Sequence, residues 1–156
     1  MATEVALTVR PIGPEDRNPW QSLFQAYGVF YKTDFTSDIC DNVWDWLMSD
    51  NHPVRGFIAG RGDSILGFAH LRAQHDTFSA GPSWFLDDLF TTPEARGQGV
   101  ATSLISHLKH YASTHGGGTL RWITAADNHT AQHLYDSLAQ RTSWVVYQDQ
   151  VPGSTS

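Results

Sequence analysis

One stretch restricts the architecture more than any other: Trp84-Phe85-Leu86-Asp87-Asp88-Leu89-Phe90-Thr91-Thr92-Pro93-Glu94-Ala95-Arg96-Gly97-Gln98-Gly99-Val100-Ala101. Its first part is an apolar run of strand length, broken only by Asp87 and Asp88, and its middle is a glycine turn. Beyond the turn, Val100, Leu104, Ile105, Leu108, Tyr111 and Ala112 recur at helical spacing, predicting a helix from Gln98 to about His115. A strand led through glycines into a helix is suited to anions, because the first helical turn has unpaired N–H groups and a partial positive charge. Gly97 and Gly99 lack Cβ atoms, so a phosphate can come close to the backbone, and Ala101 keeps the helix end uncrowded. A P-loop is excluded because no Lys-Ser/Thr pair follows the glycines. A Rossmann fingerprint is excluded because Thr102 stands where the third glycine belongs.

The remaining chain supplies strands and helices around this unit. Val5–Ile12 reads as a strand and Pro14 to about Phe30 as a helix. A second helix starts at the N-capping run Thr36-Ser37-Asp38 and ends before Pro53. Arg55–Arg61 and Ile65–Gln74 form a hairpin about Gly62-Asp63, and Trp84–Thr91 is the next strand. Gly116-Gly117-Gly118 ends the central helix. Leu120–Thr124, Asn128–Ala139 and Ser143–Val151 follow as strand, helix and strand, with a frayed tail at 152–156. A strand–helix–strand unit beside a hairpin implies a mixed α/β sheet with helices on its faces, in a single domain over residues 1–151.

Composition narrows the class of partner. A net charge of −6 argues against nucleic acid as the main ligand, which calls for an excess of Lys and Arg, and suits cationic amines or basic peptides. No apolar run reaches membrane-spanning length, and Met1-Ala2-Thr3-Glu4 has neither a basic leader nor an apolar segment, so a cytoplasmic protein is expected. The one cysteine, Cys40, reads as a small core residue. The pairs His107/His110 and His129/His133 have helical spacing, but no Glu or Cys completes a zinc set. They read as exposed histidines, with no metal expected.

Arg96-Gly97-Gln98-Gly99-Val100-Ala101 resembles the Arg/Gln-x-x-Gly-x-Gly/Ala motif of the GNAT superfamily of N-acetyltransferases. Asn128-His129-Thr130-Ala131-Gln132-His133-Leu134-Tyr135 resembles that family's Asn-x-x-Ala-x-x-x-Tyr motif. Phe85–Phe90 is similar to the corresponding strand of the diamine (spermidine/spermine) acetyltransferase branch and its fungal histone/polyamine relatives. The resemblance implies a mixed, mostly antiparallel sheet of six to seven strands, a central parallel splayed pair and about four helices. It implies acetyl-CoA as the cofactor. The diphosphate would lie on Arg96, Gly97, Gln98, Gly99, Val100, Ala101 and Thr102, and the pantetheine arm along Leu89, Phe90 and Thr91, with Asn128, Ala131 and Tyr135 also in contact. The expected reaction is direct attack by a primary amine of a small molecule, polyamine, amino acid or lysine side chain. A backbone N–H near Leu89 or Phe90 would stabilise the oxyanion, and Tyr135 would protonate the departing thiolate.

Alternation along a strand sends Asp87 and Asp88 to opposite faces, so one of them is expected on the acceptor side. The resemblance favours Asp87 as the group that binds the ammonium or takes its proton; the other reading is a structural carboxylate. Tyr27, Phe30, Tyr31 and Asp34, together with Asp87 and Asp88, are the expected acceptor-site residues, by cation–π and charge contacts. Two rival functions share the fold: a non-catalytic acyl-CoA sensor, and a protein or histone lysine acetyltransferase. The family often has a glycine after its last helix, where this chain has Ala139-Gln140-Arg141-Thr142-Ser143-Trp144. One terminal strand is therefore expected to be missing or exchanged in a homodimer.

Overall fold

The computed structural model describes residues 5–154; the readings made on Met1–Glu4 and on the last two residues of the tail lie outside them. The chain divides after Trp122 into two compact units. The first contains a five-stranded sheet in sequential order, β1 (Leu7–Pro11), β2 (Val54–Arg61), β3 (Ser64–Asp76), β4 (Gly81–Thr91) and β5 (Leu120–Arg121). The first three pairings are antiparallel and β4–β5 is parallel. Helices α1 (Arg17–Phe30), α2 (Ser37–Met48) and α3 (Val100–Thr114) belong to the same unit.

Local chemistry sets each helix start. Thr36 accepts from the Ile39 N–H and caps α2. Ahead of α1, Asp16 accepts from the Gly13 N–H at 2.7 Å and from both terminal nitrogens of Arg10 at 2.6 and 2.7 Å. That bidentate pair ties β1 to the helix entrance.

The sheet buries both faces. On one, Trp20, Leu23 and Phe24 of α1 and Cys40, Trp44 and Leu47 of α2 pack with Val54, Ile58, Phe68 and Phe90. The other face receives α3, whose Leu104, Ile105 and Leu108 are fully buried; each such side chain stabilises the fold by roughly 1.5–3 kcal/mol. Helix α3 comes so close that a Cβ on Gly67 would lie 2.8 Å from Val100 Cγ1 and 2.6 Å from the Phe90 carbonyl oxygen. Only glycine fits at that contact. Among the histidines expected to be exposed, His107 is half-buried against the Phe57 ring, and burial holds its pKa below the ordinary value, with His110 adding to the effect.

The second unit is a turn followed by α4 (His129–Leu138). The Asn128 side chain caps this helix by accepting from the Ala131 N–H at 3.2 Å. Gln132 Nε2 donates to the carbonyls of Ala125 and Ala126, each at 2.9 Å, and so fixes the preceding turn.

Three expectations are corrected among the described residues. The sheet has five strands, not six to seven. The parallel pair stands at the sheet edge rather than its centre, and it is short: Trp84 pairs Leu120 and Phe85 pairs Arg121. Ser143–Val151 is not a strand, and Trp144, Val145, Val146, Tyr147 and Val151 are exposed. Its apolar residues suit a strand, but ladder bonds need a neighbour, and no described strand pairs with it.

Candidate active site

The glycine turn has the backbone that its residues foretell. Gly97 and Gly99 both lie in the left-handed region, at φ 78° and 82°, where glycine alone is unstrained. A Cβ at either would meet nothing within 4 Å, so the space above the turn is open. Gly99 precedes the first turn of α3, and the first intrahelical bond runs from the Ser103 N–H to the Gly99 carbonyl at 2.9 Å. The N–H groups of Val100, Ala101 and Thr102 come before that bond and have no intrahelical acceptor. Gln98 braces the turn: its Oε1 accepts from Arg61 at 2.6 Å and its Nε2 donates to the Glu94 carbonyl at 3.1 Å. Open space above a row of unclaimed donors at a helix start fits a diphosphate.

Strand β4 supplies the next part. From Leu86 to Thr91, its edge away from β3 has no partner strand among the described residues. The backbone there, including Leu89, Phe90 and Thr91, is available to an extended amide-bearing chain. On the other edge, His70 opposes Asp88 but Leu71 opposes Leu86, which leaves Asp87 as an extra residue in a bulge.

The bulge corrects the expected placement of the two carboxylates. Ahead of it, Phe85 opposes Arg72; after it, Asp88 and Phe90 oppose His70 and Phe68. Arg72, His70 and Phe68 alternate on β3 and share one face. Asp87 and Asp88 therefore both address the α1/α2 face instead of opposite faces. Asp87 is held by Arg72 on both oxygens, from Nε at 2.9 Å and Nη2 at 2.8 Å. Arg72 also lies over the Phe85 ring, 5.4 Å from its centroid, and its bond to Asp87 raises its pKa. Asp88 Oδ2 lies 2.8 Å from His70 Nδ1. His70, Arg72 and Trp20, which donates to His70 Nε2 at 2.9 Å, carry no signal in the family motifs. A histidine inside the apolar run Phe68-Ala69-His70-Leu71 was the available hint.

Tyr27, Phe30 and Tyr31, expected at the acceptor site, form one ring cluster. Tyr27 lies 5.0 Å from Tyr31, which lies 5.0 Å from Phe30, and Tyr27 stacks on Phe90 of β4 at 6.1 Å. Arg96 stands over the Phe30 ring at 5.9 Å, which joins this cluster to the glycine turn. Asp34 is exposed in the loop after α1 and has no hydrogen bond or ion pair in this cluster. In the second unit, Ala131 and Tyr135 are half-buried one turn apart on α4.

The GNAT acetyltransferase family model matches residues 20–139. The chain belongs to the GNAT acetyltransferase family. This GNAT chain is 29% identical over 144 residues to the D-amino-acid N-acetyltransferase HPA3 of Saccharomyces cerevisiae, covering 90% of this chain and 89% of that one. It is also 29% identical over 150 residues to the uncharacterized N-acetyltransferase YhfO of Bacillus subtilis, covering 94% and 99%. Its fold matches an aminoglycoside N-acetyltransferase solved in complex with CoA, with a TM-score of 0.82 at 21% identity over 96% and 98% of the two chains. The GNAT chain is thus an enzyme of the acyl-CoA-dependent N-acyltransferase class. Membership of the polyamine or histone branch is not among these findings. No described helix is long and apolar enough to cross a membrane.

Proposed function

We propose that this chain transfers the acetyl group of acetyl-CoA to a primary amine in a ternary complex. The observation that carries the reading is the turn Arg96–Ala101: two left-handed glycines under open space, leading into helix amides with no intrahelical acceptor. These groups hold a diphosphate, and the free edge of β4 at Leu89–Thr91 orients the arm behind it. Acetyl-CoA contributes the activated acyl group as a thioester. The chain's part is to align it, to discharge the amine's proton to the carboxylate pair at the β4 bulge, and to offer a β4 N–H to the developing oxyanion. Tyr135 is the proposed acid, because a phenol carries an O–H that can donate.

The acceptor is proposed to be a cationic small-molecule amine, supported by the Tyr27–Phe30–Tyr31 cluster, the carboxylates on the same face of the sheet and the acceptor named for a related enzyme. The chain is proposed to work in the cytoplasm as a homodimer. The exposed apolar run at Ser143–Val151 supports the dimer, as a strand that a second copy would complete. Light scattering tests this: a monomer mass would refute it.

The test of activity is thiol release from acetyl-CoA against polyamines, D- and L-amino acids, aminoglycosides and lysine peptides, with mass spectrometry of the products. At least one amine is expected to raise release above hydrolysis and to gain one acetyl group. Tight CoA binding with no acetylated product from any amine would make the chain a sensor.

A further inference from the structure

We propose that Asp88, and not Asp87, receives the acceptor's ammonium, and that His70, locked by Trp20, is the positioning residue that aims it. This rests on the amine-acetylation reading above.

The two carboxylates differ in what they have left to give. Both oxygens of Asp87 are engaged by one guanidinium, so its charge is matched and its geometry closed. Asp88 uses only Oδ2, towards His70; Oδ1 has no protein donor among the described residues. The Asp88 side chain is 25% exposed, and the His70 side chain 3%. The carboxylate can thus be reached from outside while its partner is sealed inside.

The hydrogen-bond chain fixes the tautomer. An indole nitrogen only donates, so Trp20 Nε1–H obliges His70 Nε2 to accept and to carry no proton. The remaining ring proton is then on Nδ1, directed at Asp88 Oδ2. A neutral imidazole does not cancel the Asp88 charge, whereas Arg72 does cancel that of Asp87. The ring is also clamped, with Phe68 at 4.8 Å, Phe24 at 5.2 Å and Trp20 at 6.0 Å between centroids. Burying an indole N–H and an imidazole among these rings has a desolvation cost that a third phenyl ring would avoid. The polar chain offsets that cost by ending at a carboxylate that reaches solvent.

Proton bookkeeping excludes a relay. The ammonium N–H bond breaks, the proton moves to Asp88 Oδ1, and the freed nitrogen lone pair attacks the acyl carbon; the C–S bond then breaks, and the second proton lost by the nitrogen leaves with the sulfur as coenzyme A thiol. His70 keeps its Nδ1 proton throughout, because Nε2 is capped by a group that cannot accept one. The proton leaves Asp88 to water on its exposed side. His70 is therefore no general base, although it forms a histidine–aspartate pair.

Nitrogen-15 and carbon-13 NMR of the full chain tests this, using n-butylammonium as the probe. His70, assigned by its loss in His70→Asn, is expected in the Nδ1–H tautomer, with a mixture in Trp20→Phe. On titration the Asp88 carboxyl carbon shifts and the Asp87 carboxyl carbon does not. An Nε2–H tautomer or an imidazolium at neutral pH would overturn the positioning claim; movement at Asp87 alone, or at neither carbon, would overturn the Asp88 assignment. Kinetics supply the second arm, with the fastest amine of the panel. His70→Phe keeps a ring and removes the donor, so kcat/KM for the amine falls roughly 10- to 100-fold, with KM for acetyl-CoA within about twofold. His70→Asn retains a donor near Nδ1 and recovers most of that loss; equal losses in both variants with unchanged melting temperatures would refute an aiming role. If no amine is acetylated while n-butylammonium still shifts Asp88, the acetyl-transfer reading fails and the binding assignment stands.

Discussion

Gly99→Ala separates the fold's need for the glycine turn from the ligand's. At φ 82° and ψ 14°, an L-residue is strained by about 1–2 kcal/mol. No clash adds to this, because a Cβ at Gly99 meets nothing within 4 Å. For a chain of this size each kcal/mol moves Tm by about 2–4 °C, so the melting temperature should fall by roughly 2–8 °C. The effect on coenzyme A is larger. The new methyl group enters the open side of the turn, where a phosphate must approach the amides of Val100, Ala101 and Thr102. Hydrogen bonds to a charged group contribute about 1.5–3 kcal/mol each, so loss of one weakens binding roughly 10- to 150-fold. Isothermal titration with coenzyme A reads this directly, and differential scanning fluorimetry reads the fold. A melting shift in the stated range with affinity unchanged within about twofold would refute the diphosphate assignment.

Three further outcomes are expected. Tyr135→Phe lowers turnover roughly 100-fold or more with coenzyme A affinity retained; steady-state kinetics beside titration checks this, and unchanged turnover removes Tyr135 from the role. The Arg10 bond holds Asp16 below the ordinary carboxylate pKa, burial opposes this and the Gly13 N–H adds to it. Since the unfolded chain then binds more protons, the pair's contribution is present above the unfolded pKa of about 3.9 and lost as pH falls through the lower folded value. Urea melts of wild type and Asp16→Asn should therefore differ most above about pH 5 and converge in acid; a gap that widens in acid would reverse the sign. Burial, the leading cause, raises the Cys40 thiol pKa, and the side chain is fully buried. Native protein should react with a thiol reagent only at its unfolding rate, measured by absorbance; fast labelling would place Cys40 outside the core.

Fold legibility followed the strength of local signals. The stripe Trp20, Leu23, Phe24, Tyr27 announced α1, the threonine cap announced α2, and the glycines announced the entry to α3. These depend on neighbours in sequence. Ser143–Val151 looked equally convincing as a strand, with Trp144, Val145, Val146 and Tyr147 in a row, yet no strand among the described residues pairs with it. Strand propensity reports fitness for a pleated surface, while membership of a sheet depends on a distant ladder that no local pattern encodes. The same reason shortened β5, which is laddered to β4 at Leu120 and Arg121.

The conformation of the glycine turn was legible and the facing of the two acids was misread, and the misreading has a definite cause. Alternation assumes equal residue counts on paired strands, so one extra residue at Asp87 reverses the parity of everything after it. Thus Trp84 and Leu86 face α3, while Phe90, also even-numbered, packs against Phe68 and Tyr27 on the other side. No residue type in Leu86-Asp87-Asp88-Leu89 marks a bulge. Partner logic does. Two adjacent acids in a strand buried on both faces require two partners, since burying an unpaired carboxylate is prohibitive. The neighbouring strand offers His70 and Arg72, two residues apart and so on one face. One face can serve both acids only if the strand carrying them breaks its alternation between the two. Hydrogen-bond satisfaction, applied before periodicity, points to the bulge that the structure contains.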